Sequence, residues 1–188
     1  MGDRAVDIVY NTPDSMKIRI RDAETKDAAR IVEFLKEITT ESEFLITCPE
    51  EVPSVKEEEE FIKRMKRSLY SLFIIALDNE KVVGSLTFIG NSRKKVRHTG
   101  EFGISVLKEY RRKGIATRMI ECMMEWAKRK GIEKIHLKVI EDNLAAISLY
   151  RKLGFEFEGR QEKAIKLGDG VYKDVLLMGI WLGGGERC

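Results

Sequence analysis

The sequence predicts an α+β fold, a mixed and mostly antiparallel sheet with helices packed on it, and three observations predict it. Four separate stretches place apolar residues at the helical period. Residues 71 to 106 read as three consecutive strands joined by turns, and beyond them strands and helices alternate. Turns rich in glycine, asparagine or proline punctuate the whole series.

Taken in order, residues 1–15 lack periodicity, contain Asn11-Thr12-Pro13-Asp14-Ser15, and read as a loosely ordered lead-in. Lys17 to Arg21 alternates as K-I-R-I-R, a short strand with Ile18 and Ile20 inward. Thr25 is placed to cap a helix whose stripe is Ala28, Ile31, Val32, Leu35 and Ile38, a core-facing face. A polar loop with Pro49 and Pro53 leads to Ser54-Val55-Lys56-Glu57, a capping box, and Glu58, Glu59 and Glu60 follow in the first turn of the second helix. Helix capping and the helix dipole account for most of those charges; the functional alternative is that some of them collect a cation.

The strand meander is Ser71 to Leu77, Lys81 to Ile89 and Glu101 to Val106, the first two joined at Asp78-Asn79-Glu80. A long amphipathic helix begins near Ile115, with Met119, Cys122, Met123 and Trp126 on its apolar face, and ends at Gly131. Ile132 to Val139 is the next strand, Leu144, Ile147, Tyr150 and Leu153 mark the last helix, and Gly154 stops it. Two strands close the fold, one starting at Phe155 and one over Tyr172 to Leu182, with 167–171 as their hairpin turn. The expected organisation is thus a lead-in over 1–15, one domain over 16–182 and a flexible tail over 183–188.

Bulk properties remove several function classes. A net charge of +3 with pI near 8.7 carries no nucleic-acid signature. Cys48, Cys122 and Cys188 are widely spaced with no C-x-x-C pair, so reduced thiols are expected. Two histidines, His98 and His136, exclude a histidine-rich metal site. The absence of a spanning apolar run or signal-type leader leads to the expectation of a cytoplasmic protein with no membrane partner. Charge is nevertheless uneven: Glu41 to Glu60 holds eight acidic residues against Lys56 alone, while Lys108 to Lys134 holds nine basic against four acidic. The first region suits a cation and the second an anion.

The anion region centres on Tyr110-Arg111-Arg112-Lys113-Gly114-Ile115-Ala116-Thr117, between a strand and a helix. Such a turn leaves backbone N–H groups unpaired at the positive end of the helix, where a phosphate supplies acceptors. Arg111-Arg112-Lys113-Gly114-Ile115-Ala116 also fits Q/R-x-x-G-x-G/A, the acyl-CoA signature of the GNAT superfamily of N-acetyltransferases. Glu141 to Gly159 resembles that family's second block, N-x-x-A-x-x-x-Y-x-x-x-G-F, with Asn143, Ala146, Tyr150, Gly154 and Phe155 in place. The wording around both blocks is similar to the branch with amino-acid and polyamine N-acetyltransferases.

The resemblance implies the GNAT fold and acetyl-CoA as cosubstrate, with no metal. Residues Arg111, Arg112, Lys113, Gly114, Ile115, Ala116 and Thr117 would bind the pyrophosphate, and Ile104, Ser105 and Val106 would pair with the pantetheine arm, a Val106 N–H polarising the thioester carbonyl. Asn143 and Ala146 would contact the cofactor, Asn143 also being placed to cap its helix. Tyr150, about two helical turns on, would protonate the departing thiolate. The acceptor is a primary amine, which must lose a proton to attack. Glu101 is the candidate base, with Glu41 and Glu43 as weaker candidates for gripping the amine. An acidic loop lining the site favours a polyamine; otherwise an amino acid, a protein N-terminus or a protein lysine stays open. A non-catalytic acyl-CoA sensor is the reading of another class. A homodimer is compatible with the resemblance, the final strand pairing across it.

Overall fold

The computed structural model describes residues 5–167 and 170–183. Eight strands form one sheet in the order β1-β2-β3-β4-β5-β6-β8-β7: β1 Asp7–Asn11, β2 Lys17–Asp22, β3 Ser71–Asp78, β4 Lys81–Gly90, β5 Thr99–Val106, β6 Lys134–Ile140, β7 Glu156–Lys166 and β8 Tyr172–Trp181. Every neighbouring pair is antiparallel except β5 and β6, which run parallel. Four helices complete it: α1 Ala28–Glu41, α2 Val55–Arg67, α3 Ile115–Arg129 and α4 Leu144–Lys152.

The helices divide between the two faces, and strand parity shows how. Phe73 of β3, paired with Thr87, meets Phe61 of α2 edge-on with centroids 5.5 Å apart. The neighbouring position on β4, Phe88, meets Trp126 of α3 at the same separation. Adjacent strand residues point to opposite faces, so α2 lies on one face and α3 on the other. Phe102, paired with Phe88, packs on Tyr150 and Phe155, which places α4 on the α3 face. Ile18, Ile20, Ile74, Ile75, Leu86 and Phe88 are fully buried between these layers.

Several sequence expectations change. Residues 7–11 of the supposed lead-in are a strand, paired in register with β2 from Asp7↔Arg21 to Asn11↔Lys17, and the segment Thr12 to Met16 is its closed turn, Thr12 N–H donating to the Met16 carbonyl at 2.9 Å. Ile8 and Tyr10 pack on the core while Val9 stays 63% exposed, the half-buried alternation of an edge strand. Thr25 does not cap α1; it opens a 3-10 turn, Thr25–Asp27, whose buried Asp27 takes two bonds from Arg21 at 2.7 and 2.8 Å. The final strand offers no free edge, because β8 is paired with β6 on one side and β7 on the other; β7 is the edge. Residues Gly168 and Asp169 of the last hairpin, Cys188, and all of the tail but Gly183 lie outside the described residues.

Between β5 and β6 the sheet opens. Their pairing extends only from Thr99↔Lys134 to Glu101↔His136, after which β6 continues against β8 and β5 continues against β4. A gap therefore runs through the sheet beside residues 102 to 106.

Candidate active site

The gap exposes one edge of β5, and the ladder states which atoms lie on it. Leu107 N–H donates to the Val83 carbonyl at 3.0 Å, so 107 and 83 are a hydrogen-bonded pair. In an antiparallel ladder bonded and non-bonded pairs alternate, so Ser105 is also turned to β4 while the N–H and C=O groups of Ile104 and Val106 point into the gap. Arg111 confirms the direction for Val106, its Nε donating to the Val106 carbonyl at 3.0 Å. The N–H groups of Ile104 and Val106 are left facing the opening, available to a ligand carbonyl or amide.

Immediately beyond β5 the chain makes a 3-10 turn, Lys108–Tyr110, and enters the glycine turn before α3. Arg112 and Gly114 both have left-handed backbones, with φ of 64° and 80°. The first bond of α3 runs from Arg118 N–H to the Gly114 carbonyl at 3.0 Å, so the N–H groups of Ile115, Ala116 and Thr117 have no acceptor within the helix. Gly114, at the cap position, supplies no side-chain acceptor. The result is a concave set of donors at the positive end of a 15-residue helix. Ile115 points its side chain into the core at 1% exposure, so its part in the cradle is its main chain.

Not all the basic side chains there are free. Arg111 is bound to Val106, and Lys113 is ion-paired with Asp14, leaving Arg112 as the exposed charge of the three with no partner among the described residues. Tyr10 of β1 supports the turn: its hydroxyl donates to the Lys113 carbonyl at 3.0 Å. A Cβ on residue 114 would collide with that hydroxyl. Sequence reasoning missed Tyr10 and Asp14 because both sit in the segment taken as unordered.

The gap opens into a cavity of about 450 Å³. Ile104, Ser105, Val139 and Ile140 form its walls at the sheet, and Asn143 and Tyr150 reach it from α4. On the other side Ile31, Leu35 and Ile38 of α1, Phe61 and Glu58 of α2, and Phe44, Leu45, Ile46 and Thr47 of the loop after α1 close it. Side chains from both faces of the sheet therefore meet in one space, which the opening between β5 and β6 allows. The stripe Ile31, Leu35 and Ile38 is thus cavity wall as well as core.

Tyr150 is 7% exposed, its ring held edge-on by Phe102 and Phe155 with centroids 5.8 and 5.9 Å away. Burial pushes its phenol up to about 12, so it is protonated at neutral pH and available as a donor. Asn143 caps α4, Oδ1 accepting from Ala146 N–H at 3.2 Å, and also lines the cavity. Both readings of Asn143 are compatible. Ala146 takes part through that N–H and is half-buried against the core.

The acidic candidates fare differently. Glu101 is not among the cavity-lining side chains; its Oε2 lies 3.3 Å from Lys138 Nζ and 3.5 Å from His136 Nε2, where burial holds the imidazole below its ordinary range. Glu41 accepts from Lys108 N–H at 2.9 Å, tying the end of α1 to the end of β5. Glu43 is exposed and outside the cavity. Of the loop's other acids, Glu51 accepts from Cys48 N–H at 2.8 Å and so caps the 3-10 turn Pro49–Glu51. What lines the cavity from this loop is Phe44, Leu45, Ile46 and Thr47, none of them charged. The carboxyl that does line it, Glu58, is 5% exposed. Its signal in the sequence was position: 58 shares a helix face with Phe61, Ile62 and Met65.

Comparison with known proteins gives a consistent picture. Residues 32–155 match the family model described as Acetyltransferase (GNAT) family. An L-amino acid N-acetyltransferase of Escherichia coli (strain K12) is 34% identical over 109 residues, covering 56% of this chain and 65% of that one. An N-alpha-acetyltransferase of Saccharolobus solfataricus is 34% identical over 138 residues, covering 69% of this chain and 75% of that one. The chain spans 29% of the length of an uncharacterized N-acetyltransferase of Bacillus subtilis that it matches at 44% identity over 71 residues, or 38% of this chain. The crystal structure of a GNAT-family acetyltransferase from Streptococcus pneumoniae superposes with a TM-score of 0.84 at 34% identity, covering 88% of this chain and 99% of that one.

Proposed function

This chain belongs to the acetyltransferase (GNAT) family, and we propose that it transfers the acetyl group of acetyl-CoA to a single primary amine carried on a largely apolar body. The observation that carries the proposal is the opening between β5 and β6 beyond Glu101 and His136, which joins a phosphate cradle and an open strand edge on one side to a cavity on the other.

The residues present suit acetyl-CoA. The N–H groups from Arg112 to Thr117, with the Arg112 charge, would take the pyrophosphate, and Gly114 lets it approach the main chain. Ile104 and Val106 would pair with the pantetheine amides, and the last free N–H, on Val106, would face the thioester oxygen. Tyr150 would donate to the sulfur. A phenol held near 12 is a weaker acid than a thiol at ~8.5, so its contribution is a hydrogen bond that strengthens as charge builds on the sulfur. The amine attacks the thioester carbonyl directly, and no acylated protein side chain is required.

The acceptor is read from the other half of the cavity. Phe44, Leu45, Ile46, Leu35 and Phe61 offer apolar surface and Glu58 a single carboxyl. A polyamine carries several cations and would leave all but one unpaired there. An apolar amino acid, an arylalkylamine or an apolar protein N-terminus fits better, and the relatives named L-amino acid N-acetyltransferase and N-alpha-acetyltransferase support an α-amine as the acceptor group. Release of CoA thiol from acetyl-CoA should be measured across L-methionine, L-phenylalanine, 2-phenylethylamine, spermidine and a Met-Leu-initiated peptide. The expected result is turnover on at least one apolar amine with spermidine poorest. Tight CoA binding with no turnover on any amine would replace the enzyme reading with that of an acyl-CoA sensor.

A further inference from the structure

The start of α2 carries four consecutive glutamates, Glu57 to Glu60, and the structure separates them. Glu57 completes the capping box with Ser54, and Glu60 pairs with Lys63 at 2.7 Å. Glu58 alone of the four is buried, and it has no hydrogen-bond or ion-pair partner among the described residues. It lies on the face of α2 that also buries Ile62 and Met65, where an apolar side chain would serve folding better. A buried, unpartnered carboxyl on the wall of a cavity that also holds Tyr150 and the open edge of β5 points to a cationic ligand group.

We propose that Glu58 is the base that takes the proton from the acceptor's ammonium group, directly or through one water. The assignment rests on the acetyl-transfer reading above. In balance, the ammonium N–H bond breaks and its proton passes to the Glu58 carboxylate; the amine lone pair forms the C–N bond to the thioester carbonyl carbon; the C–S bond breaks, its electrons leaving on sulfur. The nitrogen, once bonded to carbon, loses a second proton to give the neutral amide; that proton ends on the sulfur as the CoA thiol, and the proton held by Glu58 is released to solvent over the cycle.

The surroundings support this assignment. Burial alone pushes the Glu58 carboxyl up to about 7, which suits a base working near neutrality. The other titratable groups on the cavity are Tyr150, which stays protonated, and Lys138, which is paired with Glu101. The 3-10 turn packed on α2 carries Asp27 and Lys26, bound to Arg21 and Glu24. Along α1 the cavity wall is Ile31, Leu35, Ile38 and Thr39, with no charge.

The test compares wild type with Glu58→Gln on the fastest amine of the panel above, following kcat against pH and CoA affinity separately. Wild type should show a rate limb rising near pH 7. Glu58→Gln should bind CoA within about twofold of wild type, lose about 10²-fold in kcat, and move its limb up to the amine's own pKa, because only amine already neutral can then react. A folded, CoA-binding Glu58→Gln that keeps the rate and the limb overturns the assignment while leaving the enzyme reading intact. Wild type without turnover on any amine overturns both. Should Glu58→Gln fail to fold, Glu58→Asp replaces it: a kcat at least tenfold lower with the neutral limb retained supports the assignment, and a full rate or a lost limb refutes it.

Discussion

The two sides of the opening in the sheet are made of different materials. On the α3–α4 side, the groups proposed to meet the cofactor are main-chain donors: the free edge of β5 and the turn from Arg112 to Thr117. On the α1–α2 side they are side chains, a largely apolar wall with one buried carboxyl. The first kind of site depends on backbone conformation and tolerates most side chains, so it specifies a ligand common to a whole family. The second changes with any substitution along α1, α2 or their loop. One cofactor with many acceptors follows from that division.

Tyr150 stands where the two materials meet, and removing its hydroxyl is the sharpest way to break the division. Tyr150→Phe keeps the ring packing on Phe102 and Phe155. It should lower kcat by roughly 10² to 10³-fold, about 3–4 kcal/mol of transition-state stabilisation, with CoA affinity little changed. Steady-state rates and calorimetric CoA titration check both halves of the statement. A matching loss of CoA affinity would mean that Tyr150 belongs to cofactor binding and not to the chemistry.

The buried carboxyl predicts a cost in stability on the acceptor side alone. Glu58 titrates near 7 in the folded chain, above its ordinary carboxylate range. Below about pH 4.5 it is protonated whether folded or not, and burial then carries no charge penalty. Between there and pH 7 the unfolded chain has lost the proton and the folded chain retains it, so stability falls as pH rises, and above pH 7 the loss levels off. The total is about 3 kcal/mol. Denaturant unfolding of wild type and Glu58→Gln should therefore diverge from pH 4.5 to pH 8, wild type losing by that amount. A constant difference would show that the carboxyl is hydrated in the folded protein.

This division also decides what the sequence disclosed. The glycine turn and the Asn143-to-Phe155 block were legible because a main-chain site demands fixed spacing: a left-handed Gly114, a helix start directly after it, and Tyr150 about two turns beyond Asn143. The strand order from 71 to 140 was legible from apolar periodicity for the same reason. The acceptor wall was not. Which glutamate of Glu57 to Glu60 turns inward depends on how α2 is rotated against α1, and a run of identical residues hides that rotation unless Ile62 and Met65 are used to phase it. Glu101 looked well placed by strand parity, but parity gives a face and not a position along the opening. Strand β1 escaped notice because only Ile8 and Tyr10 of its five residues pack inward, too short an alternation to stand out beside a proline turn.

Tyr10 tests the cofactor side more gently. Its hydroxyl donates to the Lys113 carbonyl and so supports the turn proposed to hold the pyrophosphate. Tyr10→Phe should cost about 1 kcal/mol, read as a three- to tenfold weaker CoA affinity with kcat at saturating acetyl-CoA unchanged. An equal loss of affinity for a CoA fragment lacking the pyrophosphate would show that the support acts elsewhere.

The smallest effect belongs to Glu101, and it separates the two carboxyls. Its partners, Lys138 and His136, lie on β6, with the carboxyl 40% exposed at the point where the strands part. An ion pair as open as this contributes at most about 1 kcal/mol. Glu101→Gln should therefore change kcat by less than about threefold and leave the neutral limb of the rate profile in place. It would also free Lys138, which lines the cavity, so an acceptor carrying a carboxylate should show a slightly lower KM while an amine without a carboxylate should not. If Glu101→Gln instead abolishes the limb, proton removal occurs at the sheet, and Glu58 is reduced to a wall residue of an acceptor pocket whose chemistry comes from β5.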